Sequence, residues 1–248
     1  MFEPAALAPG PSGFFDLPRP FVFRATHLDG RTVAPGDSFW FDLNLFDLHS
    51  PAIRYLVLAL TQLAHTGLGP GRGRAQLVEA SHRGRRIFDG QSLIDTPTEP
   101  LELRLHPLPY RIDRVRVRFV TPTELKGGDE LAARPEFGTL AARVRDRVSK
   151  LGELYGSGPL EIDFRAFGER AAQIRMTRCE LKHVDVERRS SRTGRVHPLG
   201  GFVGEAEYEG DLAEFVPYLH AAKWTGVGRQ TVWGKGQIEI EELGPVTK

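Results

Sequence analysis

The chain has 248 residues, 40% of them apolar, and 33 basic against 32 acidic residues give a formal net charge of +1. That length suits one large domain or two small ones with real cores. No apolar run approaches the ~18 residues of a membrane span, the acid- and proline-bearing opening residues do not read as a signal peptide, and one cysteine, Cys179, excludes an intramolecular disulfide framework and suits a reducing cytoplasm.

Charge balance alone is silent about nucleic acid, but its distribution is not. Only six of the 33 basic residues are lysine. Arginine suits phosphates and stacked bases, although a high-GC genome also raises its share.

Residues 1–20 are rich in proline and glycine and read as irregular. Phe21–Leu28 reads as a strand, Pro35-Gly-Asp37 as a turn, and Phe39–Phe46 as a second strand in which Trp40, Asp42 and Asn44 alternate with Phe39, Phe41, Leu43 and Leu45. Ser50-Pro51 then opens a helix as N-cap and first residue. Ile53, Leu56, Val57, Leu60 and Leu63 give it one apolar stripe to about Ala64. A glycine loop follows, then an expected strand at 74–82, a turn at Arg83-Gly84, and an alternating stretch over Leu101–Leu108. Pro107–Tyr110 reads as a linker, dividing the chain into 1–109 and 110–248.

The second part opens on Arg114–Val120, where Val115, Val117 and Phe119 face one way and Arg114, Arg116 and Arg118 the other. Thr121-Pro122 is expected to end that strand. A helix over Phe137–Tyr155 follows, with Leu140, Val144, Val148 and Leu151 on one side, then strands at Met176–Arg188 and Pro198–Tyr208. The turn between those strands carries Arg188, Arg189, Arg192 and Arg195. Leu212, Phe215, Val216 and Leu219 mark the last helix, and Gln237–Glu242 the last strand. Strand, helix, strand, strand, helix, strand is the ferredoxin-like order. The class is therefore α+β.

Between that last helix and strand lies Trp224-Thr-Gly-Val-Gly-Arg-Gln-Thr-Val-Trp-Gly-Lys-Gly236. Glycines expose backbone N–H groups and permit φ > 0, so such a loop can wrap an anionic backbone while Arg229 and Lys235 supply charge. The first part repeats the pattern. Thr66-Gly67-Leu-Gly69 and Gly71-Arg72-Gly73-Arg74 match Thr225-Gly226-Val-Gly228 and Gly234-Lys235-Gly236, with Pro70 replacing Arg229–Trp233. Gly67 and Gly226 stand 159 residues apart, which indicates two copies of one domain. The first copy shows strand, strand, helix, strand, without the opening strand and helix.

The 226–236 loop resembles the C-terminal glycine-rich loop of the RAMP proteins of CRISPR systems, and more narrowly of the CRISPR-associated endoribonucleases that process precursor repeat RNA. Thr121-Pro-Thr-Glu-Leu-Lys126, Arg189-Ser-Ser-Arg192 and Leu199-Gly-Gly-Phe-Val-Gly204 with Tyr208 support it in the second half. Pro20-Phe-Val-Phe23, Pro35-Gly-Asp37, Leu45-Phe46 and Gly67–Arg74 support it in the first. The resemblance implies two tandem ferredoxin-like (RRM-like) domains and a cut in repeat RNA that leaves a 2′,3′-cyclic phosphate. It implies neither metal nor cofactor.

The partners it implies are the CRISPR repeat RNA and its processed crRNA, other CRISPR-associated proteins and a second copy of the chain, with no membrane. Gly226, Gly228, Arg229, Gln230, Thr231, Gly234, Lys235 and Gly236, with Arg72, Arg74, Arg188, Arg189, Arg192 and Arg195, are the RNA-binding candidates. The family's usual general base, a histidine on the first helix of the first domain, falls in the missing segment. His49 and His65 are the remaining candidates, each also readable as an ordinary surface residue.

Two rivals stand beside this reading. One is a RAMP subunit that binds repeat RNA without cutting it. The other is a ferredoxin-like small-molecule enzyme using the glycine loops on one nucleotide phosphate; a shallow salt dependence would mark it. Met1-Phe-Glu-Pro4 resembles an internal family stretch, so roughly 50–90 residues of an intact homologue are expected to precede it. Val22, Leu43 and Leu45 are then expected to lack neighbours.

Overall fold

The structure, a computed structural model, describes residues 17–47, 52–69, 71–94, 99–128, 130–189, 194 and 196–244. The chain forms two compact units, one of residues 47–102 and one of residues 1–46 with 103–248. The class is α+β, as the alternation of strand and helix patterns predicts. Among the described residues no helix is long and apolar enough to cross a membrane.

In the larger unit, β1 (Phe21–Arg24) and β2 (Asp42–Leu45) pair antiparallel from Phe21↔Leu45 to Arg24↔Asp42. Val22 is fully buried and Leu43 and Leu45 are half-buried, which corrects the expectation that they lack neighbours. The smaller unit holds α1 (Ala52–Thr66) and a hairpin of β3 (Ala80–His82) and β4 (Arg85–Phe88). The strand expected over 74–82 is thus only its last three residues. Upstream, the Ala75 N–H bonds the Ala64 carbonyl at the end of α1 instead of a strand.

The remainder of the larger unit is built on β5 (Arg114–Thr123). A two-residue pair, β6 (Lys126–Gly127) with β7 (Glu130–Leu131), leads to α2 (Phe137–Tyr155) and α3 (Phe164–Ala171). Next come β8 (Arg175–Val184), a small ribbon of β9 (Glu187–Arg189) and β10 (Val196–Pro198), then β11 (Gly201–Glu209), α4 (Val216–Thr225) and β12 (Ile238–Glu242). The sheet order is β12-β5-β11-β8 with every pairing antiparallel. Leu101–Leu108 forms no strand; the Leu108 N–H goes to the Ala213 carbonyl at 3.0 Å.

Pro122 does not end β5. Pairing with β12 runs only to Phe119, and pairing with β11 is broken by a register shift at Phe202/Gly204. A proline there removes no ladder N–H, the condition under which a strand tolerates one.

The alternation of β5 puts Val115, Val117 and Phe119 under the helices at 1% exposure or less. Phe137 meets Tyr208 and Phe215, and Phe167 meets Phe215 and Tyr218, all edge to face with centroids 5.0–5.3 Å apart. That cluster fixes α2, α3 and α4 on one face of the sheet. α3 is not among the elements expected from the sequence, because its signals are short. Asp163 caps it by accepting from the Arg165 and Ala166 N–H groups, and Phe167 and Ala171 form its buried i, i+4 pair.

Candidate nucleic-acid interface

The second glycine loop starts where α4 stops. Gly226 (φ 71°) returns its N–H to the Ala222 carbonyl at 2.8 Å, and the Val227 N–H bonds the Gly236 carbonyl at 2.9 Å, closing the neck of the loop. The loop then lies against the end of β5: the Arg229 N–H bonds the Glu124 carbonyl at 3.2 Å and the Gly236 N–H the Pro122 carbonyl at 3.1 Å. A Cβ on Gly228 would overlap the Glu124 carbonyl oxygen, and one on Gly236 the Val227 carbonyl oxygen. Both also have positive φ, so these glycines are required by close backbone approach as well as by conformation.

The first glycine loop closes in the same way within its own unit. Gly67 (φ 109°) bonds back to Leu63, and Leu68 and Gly73 exchange N–H···O=C bonds at 2.8 and 3.0 Å. Leu68 and Gly73 are the counterparts of Val227 and Gly236. The shared bonds give the sequence repeat a structural counterpart. Arg72 (φ 48°) and Arg74 are exposed on this loop.

Within the second loop the two cations part ways. Arg229 is exposed. Lys235 is 3% exposed, and its ammonium donates to the Glu124 carboxylate (2.6 Å), the Gly200 carbonyl (2.6 Å) and Gln230 Oε1 (3.1 Å). An ammonium has three N–H bonds, and all three are taken. Burial lowers the Lys235 pKa below the usual lysine value, outweighing the Glu124 partner that raises it. Gln230 adopts a left-handed φ of 57° and Thr231 is buried. Lys235, Gln230 and Thr231 therefore shape the loop from inside, and Arg229 is the cation it presents outward.

Beneath the loop lie two buried guanidiniums. Arg147 Nε donates to the Thr225 carbonyl at 2.7 Å, and Arg24 Nη2 to the Lys223 carbonyl at 3.4 Å. Both acceptors belong to the last turn of α4, whose carbonyl end favours cations. Burial lowers the Arg24 pKa to about 10, and burial with the nearby Arg24 charge lowers that of Arg147 to about 9. Nothing in the local sequence pattern singled them out.

The Arg114/Arg116/Arg118 stripe is paired within the sheet. Arg116 bonds Glu207 (2.9 Å) and Glu241 (2.7 Å), Arg118 bonds Glu239 (3.2 Å), and Arg114 reaches Glu207. Three arginines, 114, 116 and 178, cover the Glu207 carboxylate, which is 2% exposed. Burial pushes that carboxyl up, but the bonds from Arg116 and Arg114 win and hold it below the usual carboxylate range.

Arg188 and Arg189 lie in β9, register-paired with His197 and Val196 of β10. Arg192 and Arg195 lie outside the described residues, as does His49. His65 is exposed in the last turn of α1, beside the first glycine loop. His27 stacks on Trp40 at 3.7 Å, with Nε2 2.8 Å from the Trp40 carbonyl; His82 contacts the Glu99 carbonyl, His183 Asp185, and His220 Glu242.

The profile of the family described as CRISPR-associated endoribonuclease Cas6 matches residues 117–238, from the middle of β5 through the closed glycine loop to the start of β12. Over these residues, just under half of the chain, it is similar to the Cas6 family. A second profile, described as an N-terminal domain, matches residues 1–101. A product complex of Thermus thermophilus Cas6 aligns with a TM-score of 0.54 at 20% identity, over 90% of this chain and 82% of that one. A partial Cas6-RT-Cas1–Cas2 complex aligns with a TM-score of 0.53 at 12% identity, over 90% of this chain and 39% of that one. At these identities the likeness is one of fold. In another comparison with Thermus thermophilus Cas6 the chain spans 55% of that protein's length. No curated protein matches the sequence.

Proposed function

We propose that this chain binds CRISPR repeat RNA and processes it by a metal-independent cut that leaves a 2′,3′-cyclic phosphate end. The observation that carries the proposal is the Cas6-family match across the whole second glycine loop, together with the outward cation, Arg229, on that loop. Arg72 and Arg74 on the equivalent first loop, and Arg188, Arg189, Arg192 and Arg195 at the basic turn, complete the phosphate-binding set. The same proposal holds two tandem ferredoxin-like domains, 1–109 and 110–248, a cytoplasmic location, and repeat RNA, other CRISPR-associated proteins and a second copy of the chain as partners.

The chemistry needs a base for the ribose 2′-OH, an acid for the leaving 5′-oxygen, and cations or N–H groups facing the phosphorane. His49 and His65 are the proposed bases. RNA binding without cleavage is the second reading, favoured by the engagement of His27, His82, His183 and His220 with neighbouring groups. The test is incubation with the repeat RNA of the neighbouring array in EDTA, followed by denaturing electrophoresis and end analysis. A single cut with a cyclic phosphate end supports processing. Bound but intact RNA supports the second reading, and a shallow salt dependence supports a single-nucleotide ligand instead.

A further inference from the structure

The two glycine loops close through equivalent bonds, Leu68 N–H to Gly73 O and Val227 N–H to Gly236 O. Closure is thus complete without residues 229–233, which have Pro70 as their only counterpart in the first loop. The insert nevertheless has a defined form. Gln230 is left-handed, Thr231–Trp233 makes one 3-10 turn, and the Trp233 N–H bonds the Gln230 carbonyl at 3.0 Å. The turn sets Val232 and Trp233 into the lining of a pocket of about 500 Å³, together with Arg19, Phe21, Phe23 and Leu199. Trp233 is 42% exposed on this turn.

We propose that this pocket is a subsite for one unpaired base of single-stranded RNA, with the base against Trp233 and Phe23 and its phosphates toward Arg19 and Arg229. Aromatic walls with a cation at the margin are what an unstacked base and its backbone require, because every base has a π-face and every linkage a negative charge. The apolar walls supply the first and Arg19 in the lining the second, and Arg229 is exposed four residues before Trp233 on the same loop. The inference rests on the RNA-binding reading and adds where a base, as distinct from a phosphate, is held.

The experiment compares the intact chain with two decamers of equal charge, oligoadenylate RNA and an abasic ribose-phosphate decamer, by fluorescence anisotropy at fixed salt. Oligoadenylate should bind roughly tenfold more tightly than the abasic decamer, the factor expected of one base–aromatic stack. Trp233→Ala should erase that preference and Trp233→Phe should retain it. Leu199→Trp, which fills the pocket without deleting its aromatic walls, should also erase the preference, and thermal melting confirms that each variant is folded. Equal affinity of the parent for the two decamers, or a preference that survives Trp233→Ala and Leu199→Trp, overturns the subsite while leaving phosphate binding intact. Failure of both decamers and of repeat RNA to bind overturns the RNA-binding reading itself.

Discussion

Lys235 and Glu124 are 111 residues apart in sequence, and the Lys235 ammonium donates to the Glu124 carboxylate at 2.6 Å beneath the glycine loop. A lysine that looks like a phosphate ligand in the sequence is the tie that holds the loop to the end of β5. Lys235→Ala should therefore cost about 2–4 kcal/mol of stability, because it strands a carboxylate with little access to water. Urea unfolding measures it. A loss within 0.5 kcal/mol, the scale of an ordinary surface change, would show that the tie contributes little.

Arg229 should behave in the opposite way. Arg229→Ala is expected to leave the melting temperature unchanged, weaken repeat-RNA binding, and reduce the slope of log affinity against log salt by about one. Binding measured from low to moderate salt gives the slope. An unaltered slope with unaltered affinity would make the loop a connection only.

The glycines offer a contrast between conformation and space. Gly30 (φ 71°) has open space where a Cβ would go, so Gly30→Ala should cost about 1 kcal/mol from backbone strain alone. Gly236 (φ 68°) has nearly the same conformation, but its Cβ would overlap the Val227 carbonyl. Gly236→Ala should cost at least about twice as much, since the neck must open as well. Equal losses in parallel denaturation curves would mean that the neck yields freely.

Glu207 sets a pH dependence. Its folded pKa lies below the ordinary value of 4.5, so its contribution is complete above pH 4.5 and fades as pH falls through the folded value. Glu207→Gln removes a group that binds more protons unfolded than folded. The variant should lose stability less steeply below pH 4.5 than the parent. Parallel acid limbs in the two unfolding series would refute the role given to Arg114, Arg116 and Arg178.

Local patterns carried much of this fold. The valine–arginine alternation of β5 and the apolar stripe of α2 are strong because each repeats several times within one element. α3 has eight residues and one buried i, i+4 pair, too little to stand above irregular chain. The glycine loops were legible as a repeat through their glycine spacing, which close backbone approach demands at Gly67, Gly228 and Gly236 and positive φ favours at Gly69, Gly226 and Gly234. Which of their cations faces outward was not. Lys235 is turned inward by Glu124 and by the Gly200 carbonyl, and the sequence around it names neither. The same holds for the arginines of β5, whose acidic partners come from β11 and β12 through cross-strand register.

The bond from the Val227 N–H to the Gly236 carbonyl pins together the two ends of the joint between α4 and β12. With the neck pinned, residues 232 and 233 are the part of the insert that varies most freely, while Arg229 N–H, Gln230 and Thr231 anchor it to the scaffold. The shorter first loop, closed by the matching bond, is the same joint with a smaller insert. Recognition can diversify at such a joint while the scaffold stays still. A foreign base-binding hairpin grafted between Gly228 and Gly234 would inherit the pinned neck and the Lys235–Glu124 bond, provided it supplies an acceptor in place of Gln230 Oε1.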